Sequence, residues 1–316
     1  MSEFDLIREY FLWDASPDTT VRISVGDDAA VLRIPLDKEL IISVDTLNEG
    51  IHFPVKTPPH AIGYKALAVN LSDLAAMGAQ PAWFTLALSM PVADTVWVGE
   101  FTRGMRELAQ QHGIFLIGGD TTRGALSITL QVMGLAAPGK ALLRSGAQHG
   151  DLICVSGTLG DAAAGLAVVQ NRLALAAEAA EYCVQRLNYP TARLGLGNVL
   201  QGRATACMDI SDGLLADLGH LLKASGVGAR LHHALLPVSP ALTSVALDQR
   251  LDFALRGGDD YELLFTLPKT LLAVVRQEAS KQKIGVTVIG EIDAQQVDLQ
   301  LDYAFSDKRC GYEHFS

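Results

Sequence analysis

Acidic residues beside glycine recur along this chain in settings where chemistry could be done. They are Gly26-Asp27-Asp28, Asp45 after the apolar run Leu40–Val44, Gly119-Asp120, Asp209-Ile210-Ser211-Asp212-Gly213 and Gly258-Asp259-Asp260. Each is expected at a strand end or a turn. Glycine lets the backbone turn sharply and lets a ligand approach it. Clustered carboxylates suit a hard cation such as magnesium, which takes oxygen ligands and keeps waters for substrate phosphates. A single Asp-Gly pair is ordinary turn chemistry. Five such sites, most of them next to apolar runs, point toward metal.

Asp73 is a different kind of signal. In Lys65–Ala79, KALAVNLSDLAAMGA, the polar residues between Ala66 and Ala79 are Asn70, Ser72 and Asp73. A helix this apolar is buried on most sides, and a buried carboxylate is costly unless it is paired or metal-bound. Asn70 and Asp73, three apart, share a face. Asp73 is thus either a metal ligand or a buried acid that caps a loop or pairs with an arginine.

Other catalytic patterns are missing. There is no GxxxxGK[ST], so this is not a P-loop enzyme, and no GxGxxG. There is no kinase-type catalytic loop. Gly157-x-x-Gly160 before a helix could cradle phosphate. No two histidines have the spacing of a local zinc motif. His52, just beyond Asp45, is a lone histidine, more often a structural polar residue than a functional one.

The elements that must position these residues follow from the hydrophobic pattern. Residues 3–13 read as a short amphipathic helix. Leu40–Val44, Phe84–Met90, Phe115–Ile117 and Ser127–Leu135 read as strands, Ala61–Met77 and Val96–His112 as helices. This mixture predicts an α/β or α+β domain ending near Ala136. Pro138-Gly139 marks the boundary. Beyond it, strands are expected at Asp151–Ser156, Leu263–Leu267 and Val286–Ile289. Helices are expected from the glycine-rich GTLGDAAAG through Gln170, over Ala174–Tyr182 before Pro190, over Leu214–Ala224 and over Thr270–Lys283.

Composition excludes several classes. The chain has 316 residues, 49% of them apolar, enough for two domains with substantial cores. A net charge of −10 argues against nucleic acid as a partner. It also means that phosphate ligands would require recruited cations. The four cysteines are far apart, which fits reduced thiols in a cytoplasm. The N-terminus lacks the pattern of a signal peptide, and no apolar run is long enough to span a bilayer.

Six segments in order, GDDAAVL, SVDTLNEGIHF, KALAVNLSDLAAMGA, GGDTTRG, DISDGLLADLGH and GGDDYEL, together with the terminal GYEHF, resemble the thiamine-monophosphate kinases. These belong to an ATP-binding superfamily that includes aminoimidazole ribonucleotide synthetase. The resemblance implies two α/β domains, residues 1–136 and 137–316. The first would bind ATP and metal, and its mixed sheet would close a barrel with a partner subunit, giving a homodimer. The second would complete the nucleotide and substrate site. Closure would also remove an exposed sheet edge.

The same resemblance implies roles. Asp28, Ser43, Asp45, Asp73, Asp120, Asp209 and Asp212 would ligate several magnesium ions, with Val44 contributing its backbone carbonyl. Gly119, Asp120, Arg144 and Ser211 would contact ATP. His52, Asp259 and Tyr312 would contact thiamine monophosphate; Asp259 stands where some relatives carry the longer glutamate. Read alone, Arg144 is a surface cation and Tyr312 a docked tail residue. The implied reaction is direct in-line transfer of the γ-phosphoryl group to the phosphate of thiamine monophosphate, with no catalytic general base. Among rivals, selenophosphate synthetase would need a reactive residue near the start, yet no cysteine precedes Cys154. The terminal GYEHF argues against aminoimidazole ribonucleotide synthetase. A metal-dependent phosphohydrolase and a non-catalytic sensor of ATP or thiamine phosphates are the readings from other classes.

Overall fold

The protein is described by a computed structural model over residues 3–13, 20–293, 298–303 and 311–312. It divides into two compact units, Met1–Leu74 with Ala79–Gly139, and Ala75–Gly78 with Lys140–Ser316.

The first unit contains α1 (Glu3–Leu6), β1 (Val21–Ile23), β2 (Val31–Leu32), β3 (Glu39–Asn48), nearly all of α2 (Pro59–Ala76), β4 (Gln80–Met90), α3 (Thr95–His112), β5 (Phe115–Arg123) and β6 (Ser127–Ala136). Its main sheet has the order β3-β6-β4-β5. β6 pairs antiparallel with both β3 and β4, and β5 pairs parallel with β4. The parallel pair is joined by α3, a crossover that a parallel connection requires. α3 starts because Asp94 accepts the N–H groups of Val96 and Trp97, and ends at Gly113 in the left-handed conformation. Its buried face repeats at helical spacing: Val98, Phe101, Met105, Leu108 and Ala109. α2 is buried nearly all round, as its composition requires.

Residues 3–13, expected as one amphipathic helix, are α-helical only over α1 and widen to a π-helix over Ile7–Phe11. Leu6 and Phe11 are both buried and five residues apart. The i→i+5 spacing of a π-turn brings such a pair toward one face.

The second unit contains β7 (Leu152–Ser156), α4 (Asp161–Val169), α5 (Ala177–Asn188), α6 (Leu194–Leu200), β8 (Ala206–Asp209), α7 (Leu214–Ser225), β9 (Gly228–Leu231), α8 (Leu247–Arg256), β10 (Leu263–Leu267), α9 (Leu272–Lys281), β11 (Val286–Asp293) and β12 (Leu299–Leu301). The six strands lie in the order β12-β9-β11-β7-β10-β8. All pairs are antiparallel except β12 with β9. β8 and β10 are buried along their whole length. The core gathers Ile153 and Val155 of β7, Met208 of β8, Leu264 of β10, and Leu214, Leu218 and Leu221 of α7. Among the described residues no helix is long and apolar enough to cross a membrane.

Candidate functional site

In the first unit the site residues sit on β3 and α2. Side chains alternate along β3, and the burial follows that period: Leu40, Ile42 and Val44 are exposed, Ser43 and Asp45 are half-buried, and Leu47 is buried. Asp45 is not at a strand end, as its position after Leu40–Val44 predicts. β3 continues to Asn48 because β6 pairs with it along all ten residues, Asp45 opposite Leu130. The Ser43 hydroxyl donates to Asp73 Oδ2 at 2.6 Å. Asp73 is therefore only half-buried and tied to β3, whereas Asn70 and Ser72 are wholly buried. Asn70 Nδ2 donates to the Ala66 carbonyl at 2.9 Å, a bond within the helix.

Gly119 and Asp120 also lie inside a strand rather than beyond one. β5 runs through both because its parallel pairing with β4 continues, Gly119 opposite Leu86 and Asp120 opposite Ala87. A Cβ at Gly119 would lie 2.0 Å from the Leu86 carbonyl oxygen, so the close approach of the two strands alone demands glycine. Asp45 shares a cross-sheet row with Leu130, Leu86 and Gly119. Asp120 lies one residue further on, so the two-residue period sends it to the opposite face from Asp45. Asp120 is exposed, and so is Asp28, whose N–H donates to Asp27 Oδ1 at 2.8 Å in a local turn.

His52 is oriented by the end of β3. The Asn48 N–H donates to His52 Nδ1 at 2.9 Å. Nδ1 is thus an acceptor, and the neutral ring carries its proton on Nε2. The buried Lys65 donates to the His52 carbonyl at 3.3 Å.

In the second unit the site gathers on the loop between β8 and α7. Asp209, the last residue of β8, is 5% exposed. Ser211 and Asp212 follow and are half-buried. The Ser211 carbonyl accepts the Asp259 N–H at 2.9 Å, and the Asp212 carbonyl accepts the Tyr312 N–H at 3.0 Å. A Cβ at Gly258 would fall 2.4 Å from the Ser211 carbonyl oxygen, so glycine is needed for the two loops to meet. Asp259 and Tyr261 hold φ of +70° and +49°, conformations that cost non-glycine residues about 1–3 kcal/mol each and concentrate at functional sites. The Tyr261 hydroxyl donates to Asp259 Oδ1 at 3.1 Å. Arg144 is exposed, and its carbonyl accepts the Ser225 hydroxyl at 3.3 Å.

Asp217, in the first turn of α7, accepts the N–H groups of Ser211, Asp212 and Gly213 on the single oxygen Oδ2, at 3.0, 3.1 and 3.2 Å. Burial pushes its carboxyl up to about 7, the nearby Asp212 charge adds to this, and the three N–H groups oppose it. The sequence reading overlooked Asp217. Asp217 nevertheless carries the same signal as Asp73, since it interrupts the apolar Leu214-Leu215-Ala216-Asp217-Leu218.

Asp260, the second acid of Gly258-Asp259-Asp260, belongs to the scaffold. It is 1% exposed, and its Oδ2 accepts the Gly160 N–H at 2.8 Å. Burial drives its carboxyl well above the usual range. Beside it Glu262, wholly buried, accepts Ser156 Oγ at 2.5 Å, Arg186 at 2.9 Å and a two-pronged contact from Arg193. Asp161, also buried, accepts the Thr158 and Ser239 hydroxyls at 2.6 and 2.5 Å. Glu262, Asp161 and the two arginines were missed in the sequence because their partners lie 69 to 106 residues away for Glu262 and 78 for Ser239 with Asp161.

The structure thus brings Ser43 to Asp73 in one unit, and Ser211, Asp212, Asp259 and Tyr312 together in the other. Among the described residues no three His, Cys, Asp or Glu side chains converge into a group that could hold an ion by themselves. Of the terminal GYEHF, Glu313, His314 and Phe315 lie outside the described residues, as does Cys310. The other three cysteines are free and buried.

This architecture has relatives. Residues 26–136 match the family described as AIR synthase related protein, N-terminal domain, and residues 148–302 match its C-terminal domain counterpart. The thiamine-monophosphate kinase of Escherichia coli K12 is 48% identical over 294 residues, covering 92% of this chain and 90% of that protein. The thiamine-monophosphate kinase of Bacillus subtilis is 34% identical, covering 100% of both. A crystal structure of thiamine-monophosphate kinase from Stenotrophomonas maltophilia superposes with a TM-score of 0.86 at 46% identity, over 94% of this chain and 95% of that one. AaThiL complexed with AMPPCP and TMP superposes with a TM-score of 0.79 at 31% identity, over 99% and 96%. The E. coli hydrogenase maturation protein HypE, 22% identical with a TM-score of 0.77 over 99% and 97%, shares the fold. Identity of this extent over nearly the full length, with matches to both domains of the fold, shows that the chain belongs to the thiamine-monophosphate kinase family.

Proposed function

We propose that this chain transfers the γ-phosphoryl group of ATP directly and in line to the phosphate of thiamine monophosphate, giving thiamine diphosphate and ADP. The observation that carries the reading is the Ser211-Asp212 segment, whose two carbonyls receive the backbone of Asp259 and of Tyr312. One stretch of chain then carries the residues assigned to the donor, Ser211 and Asp212, and those assigned to the acceptor. AaThiL, described in complex with AMPPCP and TMP, supports a site that takes an ATP analogue and the acceptor together.

The donor set suits magnesium: carboxylates and one hydroxyl, all hard oxygen, with no sulfur or imidazole. Magnesium is commonly held by one or two carboxylates together with waters and substrate phosphates, so pairs such as Ser43 with Asp73 fit it without a closed protein cage. Asp28, Ser43, the Val44 carbonyl, Asp45, Asp73, Asp120, Asp209 and Asp212 would hold several ions. Asp45 and Asp120, leaving opposite faces of one sheet, would serve different ones. Bound magnesium would invert the sign of this acidic site and offset the repulsion between two polyanions.

The chain's own residues would position and shield. Gly119, Asp120, Arg144 and Ser211 would contact ATP. Asp259 and Tyr312 would contact thiamine monophosphate, and an aromatic ring against the cationic thiazolium contributes about 0.5–2 kcal/mol. His52 would donate from Nε2 to the acceptor rather than take its proton, because Nδ1 is engaged by Asn48. No base is needed: a phosphate monoester has a second pKa near about 6 and is largely ionised at neutral pH.

Residues 1–136 would bind ATP and metal and dimerise, and residues 137–316 would complete the nucleotide and substrate site. The outer face of β3 supports the dimer. Leu40, Ile42 and Val44 are 38%, 53% and 56% exposed on a strand at the sheet edge, and closing a barrel with a second copy would cover such an edge. The cytoplasm is the expected setting, in keeping with three free, buried cysteines.

The test is incubation with MgATP, with and without thiamine monophosphate, and identification of products by mass. ADP and thiamine diphosphate should form one for one, and only with a divalent cation. Free phosphate without thiamine diphosphate would point to a phosphohydrolase, and no turnover with intact binding to a sensor.

A further inference from the structure

We propose that Asp217 is a positioning residue that couples the nucleotide and acceptor halves of the site, acting through three adjacent peptide planes. The inference deepens the kinase reading and rests on it for the names of the two ligands.

In a trans peptide the carbonyl of one residue and the N–H of the next lie in one plane and point in opposite directions. Asp217 Oδ2 collects the N–H groups of Ser211, Asp212 and Gly213. The carbonyls in those same three planes belong to Ile210, Ser211 and Asp212. They are the acceptors for Tyr261, Asp259 and Tyr312 respectively, at 2.8, 2.9 and 3.0 Å. A single carboxylate oxygen therefore orients three peptide dipoles, and their far ends hold the acceptor-side residues. A hydrogen bond at one end of a peptide also strengthens the bond at the other.

Two further features fit this role. Asp259 and Tyr261 hold positive φ, and such conformations persist only where the surroundings over-determine them. The Ser211 and Ile210 carbonyls are part of those surroundings. α7 also begins at Gly213 without any side chain capping it from outside. Asp217 reaches back from within the helix instead, so the start of α7 and the loop are set by one group. It is 2% exposed, too buried to meet a ligand itself.

The experiment uses the full chain and compares wild type with Asp217→Asn, which keeps the shape but loses the charge. Amide exchange, followed by mass spectrometry without ligand, should quicken together in the segments spanning 209–213 and 257–262. Calorimetry well below the melting temperature should then show weaker binding of both a magnesium-loaded non-hydrolysable ATP analogue and thiamine monophosphate. About tenfold or more is expected, as for loss of an outer-shell partner. Asp259→Asn, the control, should weaken thiamine monophosphate alone. A merely structural Asp217 would lower the melting temperature while leaving both affinities of the folded protein intact, and that result would overturn the proposal. Loss of one ligand only, or exchange unchanged in either segment, would overturn it as well. If Asp217→Asn does not fold, Asp217→Glu, with its charge one methylene too far, should give the same paired signature. If wild type fails to convert thiamine monophosphate, the kinase reading falls, and the paired exchange still decides whether Asp217 links the two loops.

Discussion

Asp73 and Glu262 are both acids beside apolar residues, Asp73 inside an apolar helix and Glu262 directly before the run Leu263–Leu267. Asp73, in the first unit, is half-buried and takes the hydroxyl of Ser43. Glu262, in the second, is wholly buried among Ser156, Arg186 and Arg193. The neighbouring pair Asp259 and Asp260 divides in the same way. Asp259 is half-buried in a strained loop, while Asp260 is sealed against the Gly160 N–H. An acid that keeps access to solvent can take a cation. An acid closed in by guanidinium or backbone groups serves the scaffold.

The contrast can be broken most severely at Glu262. Glu262→Ala leaves two arginines, 13% and 16% exposed, without the carboxylate that both contact. Removing one partner of a buried pair costs about 3–5 kcal/mol. Urea unfolding should show a loss of that order, and a loss below about 1 kcal/mol would place Glu262 with the surface acids.

Asp73→Asn should behave in the opposite way. The amide can still accept from Ser43, so the ligand-free protein should melt within a few degrees of wild type or slightly above it. Turnover should fall at least about a hundredfold, since loss of even an outer-shell partner of a metal costs about 10–100-fold. That is about 2.7 kcal/mol in the barrier. Wild-type turnover in this variant, or a melting temperature as low as that of Glu262→Ala, would erase the distinction between the two acids.

The smallest effect belongs to an acid answered at the surface. Asp302 is held down to about 2, chiefly by the His233 N–H and also by the side chains of His233 and His232. Its folded value lies below its unfolded one, so its contribution is present above about pH 4 and is lost as the pH falls toward 2. Asp302→Asn should lower the melting temperature by about 1–3 °C at pH 7, the scale of an exposed pair. The gap between mutant and wild type should narrow on acidification from pH 5. A gap that stays constant would show that the bonds to His233 do not depend on the charge.

Much of this was legible before folding was considered, and the failures are instructive. β10 occupies Leu263–Leu267 as its apolar run implies, and α3 begins one residue before its expected start. Asp45 and Asp120 were expected at strand ends but lie within strands, because pairing with β6 and β4 carries β3 and β5 through them. Pairing is non-local and leaves no mark in the strand's own residues. β8, β9, β12, α6 and α8 escaped notice for a related reason. Four of them are at most seven residues long, and α8 has ten, with too few turns or alternations to declare a period.

What the sequence determined by itself is the inventory: an ordered set of acid-glycine segments, an almost wholly apolar helix bearing one carboxylate, and the absence of a P-loop. These depend on residue types and short spacings, which the chain carries whether or not it is folded. Tertiary structure decided which acids remain accessible and which are enclosed. It brought Arg186 and Arg193 to Glu262 across 76 and 69 residues, and it turned three carbonyls of the Ile210–Asp212 segment toward Asp259, Tyr261 and Tyr312. Desolvation and the direction of a peptide dipole are properties of surroundings, and for a carboxylate those surroundings exist only once distant segments have packed.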